Sequence, residues 1–469
     1  MSDKNQLEQE VERLLTRQDN FYKSQATRSY AFRMKQLERL KMSIMHHEQA
    51  VIDALKIDLG KHETESMLME IGIIYQTIRN MVKNLKKWSQ PKRVGTPIFM
   101  WPGKSRILND PYGKVLIISP FNYPFQLIMD PLVGAISAGN TAVVKPSELT
   151  PNVADVIETI ITEAFDEEYV AVKTGDVEMN QALIAGDFDY IFFTGSTNVG
   201  KIIAKSASER LIPHTLELGG KSPAIIDTTV NVRNTARKIV WGKLINAGQT
   251  CIAPDYLLVH EDIKDELVME MKHAINTYYG INISENDQYG RIVNSRHHKR
   301  LSQLIDEHQN QIIAGGAYDE GARFIEPTLV YLKGNEYKTS SLMKDEIFGP
   351  ILPIITYETL DEAIDITREN PNPLALYIFS NDDINKDILI THIPSGDVSI
   401  NNVLLHVANS NLPFGGLRNS GVGNYKGKFS IESFTHQRGL YESPNWFDMS
   451  IHRAPYKDSF TNIIRKFLK

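Results

Sequence analysis

Cysteine is almost absent. Of 469 residues only Cys251 carries a thiol, in the run Asn246-Ala247-Gly248-Gln249-Thr250-Cys251. A lone thiol excludes an internal disulfide and any multi-cysteine metal site, and no metal is expected. Long apolar runs are missing too. Stretches such as 115–118 and 329–332 fall far short of the roughly 20 residues that span a bilayer, so no integral membrane anchor is expected. Nor is there a strong excess of charge: a net charge of −6 gives no electrostatic footprint for nucleic acid. Residues 1–20 are polar and acidic, without the apolar centre of a signal peptide. What is left is a reduced, cytoplasmic globular protein. Its 42% hydrophobic and 23% charged residues are ordinary, and its length suits two or three domains.

The pattern over residues 7–59 is helical, with Leu37, Leu40, Ile44, Val51, Ile52 and Leu55 at helical spacing and Gly60 as a stop. A second helical pattern covers 67–88. An excursion with Pro91, Gly95, Pro97, Pro102 and Gly103 follows, reading as loops and short strands. The rhythm then alternates. Short apolar strands are expected at 115–119, 141–145, 169–172, 190–193 and 214–218, with helices between them. Repeated βα units imply a parallel, doubly wound sheet that binds ligands at the carboxyl ends of its strands. A second α/β series runs from about 222 to 401.

Several loops fall at those carboxyl ends. Ser119-Pro120-Phe121-Asn122-Tyr123-Pro124 follows the first strand and Lys145-Pro146-Ser147-Glu148 the second. Thr194-Gly195-Ser196-Thr197-Asn198-Val199-Gly200 follows the fourth. It suits an anion at a helix N-terminus, although it lacks the usual G-x-G-x-x-G spacing, and a plain glycine-rich turn has the same signature. After the fifth strand comes Leu216-Glu217-Leu218-Gly219-Gly220-Lys221. A carboxylate between two leucines is poised for burial, which raises its pKa towards that of a general base; pairing with Lys221 is the alternative. Cys251, in a loop with Gly248 before it and Pro254 after it, is either a buried structural thiol or a nucleophile.

Taken together, these segments resemble the aldehyde dehydrogenase superfamily from the N-terminal helices to about Arg438. The most specific are Leu216 to Pro223, Gly248-Gln249-Thr250-Cys251, Glu346-Ile347-Phe348-Gly349-Pro350 and Leu412-Pro413-Phe414-Gly415-Gly416. The details look most like the class 3 branch of fatty and aromatic aldehyde enzymes: Asn122-Tyr123-Pro124-Phe125, Cys251-Ile252-Ala253-Pro254-Asp255-Tyr256, Asn401-Asn402-Val403-Leu404-Leu405-His406, and Tyr425-Lys426-Gly427-Lys428. Leu417-Arg418 departs from the smaller residues usual there.

The resemblance implies an α/β fold with a Rossmann-type parallel-sheet cofactor domain, an α/β catalytic domain and a small bridging element. The cofactor domain would span 1–217 with a bridging excursion at about 92–112, the catalytic domain 218–400, and the C-terminal bridging segment and tail 401–469. It implies oxidation of a medium-chain aliphatic or aromatic aldehyde to its acid by a homodimer using NAD, with NADP also accepted. Cys251 would attack the carbonyl, with Asn122 and the Cys251 N–H as oxyanion donors and Glu217 as deacylation base. A thiol pKa near 8.5 leaves little thiolate at neutral pH, so the site is expected to lower it, through the positively charged nicotinamide ring and nearby backbone amides. Lys145 and Glu148 would bind the adenosine ribose, Glu346 the nicotinamide ribose and Phe348 the ring. Gly195, Ser196, Gly200 and Leu218 would complete the cofactor site. Phe121, Tyr123, Ile252 and His406 would line the aldehyde channel. The rivals are a coenzyme A-acylating dehydrogenase, a thiol hydrolase or esterase pairing Cys251 with His406, and a non-catalytic protein on a retained scaffold. Phe460, Ile463, Ile464, Phe467 and Leu468, with Arg465, Lys466 and Lys469, make a basic amphipathic terminal helix, docked on its own subunit or lying on a membrane surface.

Overall fold

The computed structural model describes residues 2–448 and 453–468. Two large sheets carry the molecule. The first has six strands in the order Gly421–Val422, His214–Leu218, Tyr190–Gly195, Lys114–Ile118, Thr141–Lys145 and Val170–Val172. Its pairings are parallel except for the first, where Gly421 lies antiparallel to Glu217. The five strands expected from the sequence are all present. Lys114–Ile118 is buried throughout, as a strand covered on both faces by helices must be. The helix Gln126–Ala138 supplies one cover and is buried along its whole length.

The second sheet has seven strands, in the order Ile312–Ala314, Thr328–Tyr331, Ile351–Tyr357, Tyr256–His260, Pro223–Ile226, Ala375–Phe379 and Asp397–Ile400. Only the Ile312–Ala314 edge pairs antiparallel. A third sheet joins Lys92–Val94, Lys104–Pro111 and Thr435–Glu442, linking the expected excursion to the C-terminal segment.

The N-terminal helical region divides into Ser2–Lys23, Tyr30–His46 and Glu48–Leu59, the last ending at Gly60. The second helical region begins with a wide π turn, Met67–Ile71, before the regular helix Gly72–Trp88. Such turns insert an extra residue and re-aim side chains; here one delivers Glu70 to the site described below. The terminal helix Asp458–Leu468 forms, but of its apolar and basic pattern the side chains of Phe460, Ile463, Lys466, Phe467 and Leu468, and all of Lys469, lie outside the described residues. Among the described residues no helix is long and apolar enough to cross a membrane.

Candidate active site

A groove of about 700 Å³ opens at the carboxyl ends of the strands of the six-stranded sheet, with Phe121, Asn122, Glu217, Cys251, Glu346 and Phe348 among its walls. Cys251 follows a 3₁₀ turn, Ile245–Gly248, whose backbone is unusual. Asn246 (φ 51°), Ala247 (φ 50°) and Gly248 (φ 76°) are left-handed in succession. At Gly248 a Cβ would lie 2.3 Å from the Gly349 carbonyl oxygen, so no larger residue fits. Left-handed Asn and Ala cost on the order of 1–3 kcal/mol each and persist only when held from outside.

Here two side chains do the holding. Asn246 Nδ2 donates to the Asn122 carbonyl (2.7 Å) and to that of Gln249 (3.2 Å). Gln249 Nε2 donates to the carbonyls of Asn246 and Arg291, both at 3.0 Å, while its Oε1 accepts from the Val293 N–H. Asn122 Nδ2 donates to the Gln249 carbonyl at 3.0 Å, leaving its second N–H uncommitted.

A buried ion pair underlies this loop. Lys61 Nζ is paired with Glu70 Oε1 and donates to the Asn122 carbonyl at 2.8 Å; neither charged side chain is exposed to solvent. Glu70 Oε2 accepts the N–H groups of Phe125 (3.0 Å) and Gln126 (2.9 Å) at the start of the buried helix. Lys61→Met strands that carboxylate without its cation. Removing one partner of a buried pair typically costs about 3–5 kcal/mol. Urea denaturation is expected to show a loss of that size, partly recovered in Lys61→Met/Glu70→Gln.

Glu217 stands on strand His214–Leu218 with both carboxylate oxygens buried and unpartnered. Burial, reinforced by Asp397 and opposed by Lys426, pushes its pKa well above the ordinary carboxylate value. Lys221, the alternative partner, binds Asp255 at 2.5 Å and the Asp345 carbonyl at 3.0 Å instead. The protein groups around Cys251 do not themselves supply the expected lowering. Burial, Glu346 and Glu217 all push the thiol up, outweighing the backbone N–H groups of Cys251 and Ile252.

Further along the groove, Glu346 packs against Gly219, where a Cβ would fall 2.0 Å from Glu346 Oε2. Burial and Asp255 raise the Glu346 pKa to about 8, against Lys221 and the Gly220 N–H. The Phe348 ring meets Phe121 edge-on at 5.7 Å. Ser196 caps the helix Thr197–Glu209 by accepting from the Val199 N–H, and Gly195 to Asn198 line the groove at that helix start. Gly200 faces Leu218, where a Cβ would come within 2.5 Å of Cδ2, so its role is close packing of helix on strand. Lys145, buried at its strand end, donates to the half-exposed Glu148 at 3.0 Å.

Of the expected channel residues only Phe121 lines the groove. Tyr123 is buried, its hydroxyl bonded to Thr250 Oγ1 (2.8 Å) and its ring 4.0 Å from the Lys61 ammonium. Ile252 is buried, its carbonyl accepting from Tyr377 Oη at 2.5 Å. His406 lines a separate, smaller cavity with Asp397 and Lys426. Lys61, Glu70, Gln249, Asp397 and Lys426 had no assigned role in the sequence. For Lys61, Glu70, Gln249 and Lys426 the signal is a burial that only long-range packing creates.

A parallel sheet with a groove at its carboxyl ends, holding a thiol and an unpartnered carboxylate, fits a dinucleotide-dependent dehydrogenase. The family model described as the aldehyde dehydrogenase family matches residues 4–439. The 4,4'-diaponeurosporen-aldehyde dehydrogenase of Staphylococcus aureus is 48% identical, over 96% of this chain and 97% of its own. The dimeric, NADP-preferring aldehyde dehydrogenase of Rattus norvegicus is 38% identical, over 93% and 95%. The substrate-bound structure of Staphylococcus aureus AldH superposes with a TM-score of 0.95 at 46% identity, covering 98% of this chain and 99% of that one. This chain therefore belongs to the aldehyde dehydrogenase family. It oxidises aldehydes, with NAD or NADP as the electron acceptor.

Proposed function

We propose that the protein converts an apolar, medium-chain aliphatic or aromatic aldehyde to its carboxylic acid through covalent catalysis by Cys251. The observation that carries this reading is one groove holding both Cys251 and a Glu217 carboxylate with neither oxygen engaged. The Cys251 S–H bond breaks, its proton passing to water in the groove, as the sulfur bonds to the carbonyl carbon; the Cys251 N–H and the free Asn122 N–H take the developing oxyanion. Losing such a donor typically costs about 10²–10³ in rate. Once hydride has left, Glu217 removes a proton from water, which attacks the acyl thioester and expels the sulfur.

The groove fits a dinucleotide on its own chemistry. A capped helix start with Gly195 and Ser196 suits a diphosphate, and Gly219 makes room for the Glu346 carboxylate. We assign Lys145 and Glu148 to the adenosine ribose, Glu346 to the nicotinamide ribose and Phe348 to the ring. Leu218 packs Gly200 and its helix against the sheet. NAD(P)⁺, when bound, supplies the hydride acceptor. A carboxylate at Glu148 repels a 2′-phosphate and so favours NAD.

In this reading 1–217, less the excursion at 92–112, forms the cofactor domain, 218–400 the catalytic domain, and 401–469 the bridging segment. A homodimer is supported by the strand Thr435–Glu442, which leaves Leu440 and Tyr441 exposed, with Trp101 exposed on the same excursion. A single thiol, which cannot form an internal disulfide, supports a reducing compartment such as the cytoplasm. Transfer of the acyl group to coenzyme A would need no water-activating carboxylate, and Glu217 argues against it. A Cys251–His406 hydrolase is disfavoured because the two residues line different cavities.

The test is cofactor reduction with NAD or NADP across aliphatic and aromatic aldehydes, with 4,4'-diaponeurosporen-aldehyde included for its link to the Staphylococcus aureus relative. Turnover with apolar aldehydes, independent of coenzyme A, is expected. Turnover only with coenzyme A, or only with small polar aldehydes, would overturn the reading.

A further inference from the structure

Beside Glu346 lies a cluster of buried charges that the reaction above does not use. Asp255 is its hub. Its Oδ2 pairs with the Lys221 ammonium at 2.5 Å, and its Oδ1 lies 3.8 Å from that of Lys243. Both oxygens face the Ile347 N–H, at 3.1 and 3.4 Å. The side chains of Lys221, Asp255 and Lys243 are 3%, 4% and 2% exposed, so none can fall back on water. Lys243 Nζ makes no hydrogen bond to any described residue. Buried ions of this kind are a weak source of stability, since apolar side chains of similar volume often serve as well or better. Their position against the groove points to a role there.

The cluster ties down the turn that carries Glu346 and Phe348. Lys221 Nζ donates to the Asp345 carbonyl at 3.0 Å, Asp255 accepts the Ile347 N–H, and Arg300 Nη2 donates to the Ile347 carbonyl at 2.6 Å. Phe348 is left-handed (φ 50°), a conformation that persists only when held from outside. Asp255 belongs to the segment of the nucleophile, four positions after Cys251, and its N–H donates to the Ser222 carbonyl at 2.8 Å. Lys221 differs from the rest of the cluster in lining the groove together with Glu346. Its ammonium sits at the carbonyl of the residue just before Glu346. Two carboxylates are therefore within its reach, and it is bound to Asp255.

We propose that Asp255 is a positioning residue for cofactor binding: it holds the Lys221 ammonium away from Glu346, leaving both oxygens of that carboxylate for the nicotinamide ribose. This rests on the assignment of Glu346 to that ribose. Two neighbouring ribose hydroxyls are both donors to a carboxylate, which accepts both only while no cation occupies its oxygens. Without the Asp255 charge, Lys221 has one anion left beside it. A Lys221–Glu346 pair in a groove partly shielded from water would compete directly with the ribose. Lys243 completes the balance, two ammoniums standing against Asp255 and an ionised Glu346.

Calorimetric titration with NAD, without aldehyde, reads the effect at about pH 9, above the value of about 8 to which the Glu346 carboxyl is raised. Asp255→Asn keeps an oxygen for the Ile347 N–H but loses the charge. It is expected to raise the dissociation constant about tenfold, the effect of losing a hydrogen bond to a charged group. Adding Lys221→Met takes away the competing ammonium and should return the affinity to within about twofold of the unmutated protein. A cluster that served the fold alone would give no such rescue. Unchanged affinity in Asp255→Asn, or a double variant as weak as the single one, overturns the proposal. If Asp255→Asn does not fold, Asp255→Asn/Lys243→Met removes one charge of each sign and still frees Lys221. It is read in the same way: weaker binding supports the proposal and unchanged binding overturns it. Glu346→Gln separates the levels. If it leaves NAD affinity unchanged, the ribose assignment is at fault and the inference falls with it; if it weakens binding and the Asp255 variants do not, only the inference falls.

Discussion

Replacing Cys251 with serine is expected to abolish cofactor reduction, by at least about 10⁴-fold, since removing the nucleophile of a covalent enzyme costs as much as about 10⁶. Serine is nearly isosteric, so the groove and its affinity for NAD(P) should survive, as fluorescence quenching by the cofactor would show. Retained turnover would sink the covalent reading. The wild-type thiol carries its own pH signature. Burial, Glu346 and Glu217 all oppose the thiolate, so the neutral form dominates through neutral pH and ionises only in alkali. Alkylation of the cofactor-free protein by iodoacetamide, followed by mass spectrometry, should be slow at neutral pH and accelerate as pH rises. Fast alkylation below neutrality would mean that the surroundings stabilise the thiolate after all.

Glu217→Gln should lower kcat by about 10²–10⁴, the range that a general base contributes. Because only deacylation needs the base, the first turnover should survive and acyl-enzyme should accumulate. The sign of the pH dependence follows from burial. A base works deprotonated, and this carboxyl holds its proton well above the ordinary 4.5, so deacylation should rise with pH through that raised value. An acid limb at 4.5 or below in the wild type would mean that Glu217 is solvated during turnover, or that another group is the base.

The sequence made the fold legible where local pattern and tertiary demand agree. Strands such as Val115-Leu116-Ile117-Ile118 are apolar because both faces are covered, and they stand where the pattern put them. Glu217 was legible as a carboxylate in an apolar strand. The exclusion of Lys221 as its partner was not, because Asp255 comes from 34 positions downstream. Glu70 looks like an ordinary charge on helical ground and Lys61 like one in the link after Gly60; the π turn that carries Glu70 has no clear periodic signature. Tyr123, Ile252 and His406 sit in motifs near the chemistry, but a motif fixes a backbone position and not the direction of a side chain. Tyr123 turns to Thr250 and Lys61, and His406 into the second cavity.

The antiparallel pairing of Gly421 with Glu217 has a consequence for biosynthesis. The strand that carries the carboxylate is completed by Gly421 and Val422, far downstream of it in the sequence, and Asn140 likewise reaches forward to the Phe434 carbonyl. A polypeptide emerging from the ribosome exposes Cys251 long before those residues exist. Its thiol is present in the nascent chain, but the strand holding its partner carboxylate still lacks an edge. Hydrolytic competence thus arrives only once residues 421 and 422 have been translated, and a product terminated before them keeps the nucleophile without the edge that completes the strand of its base.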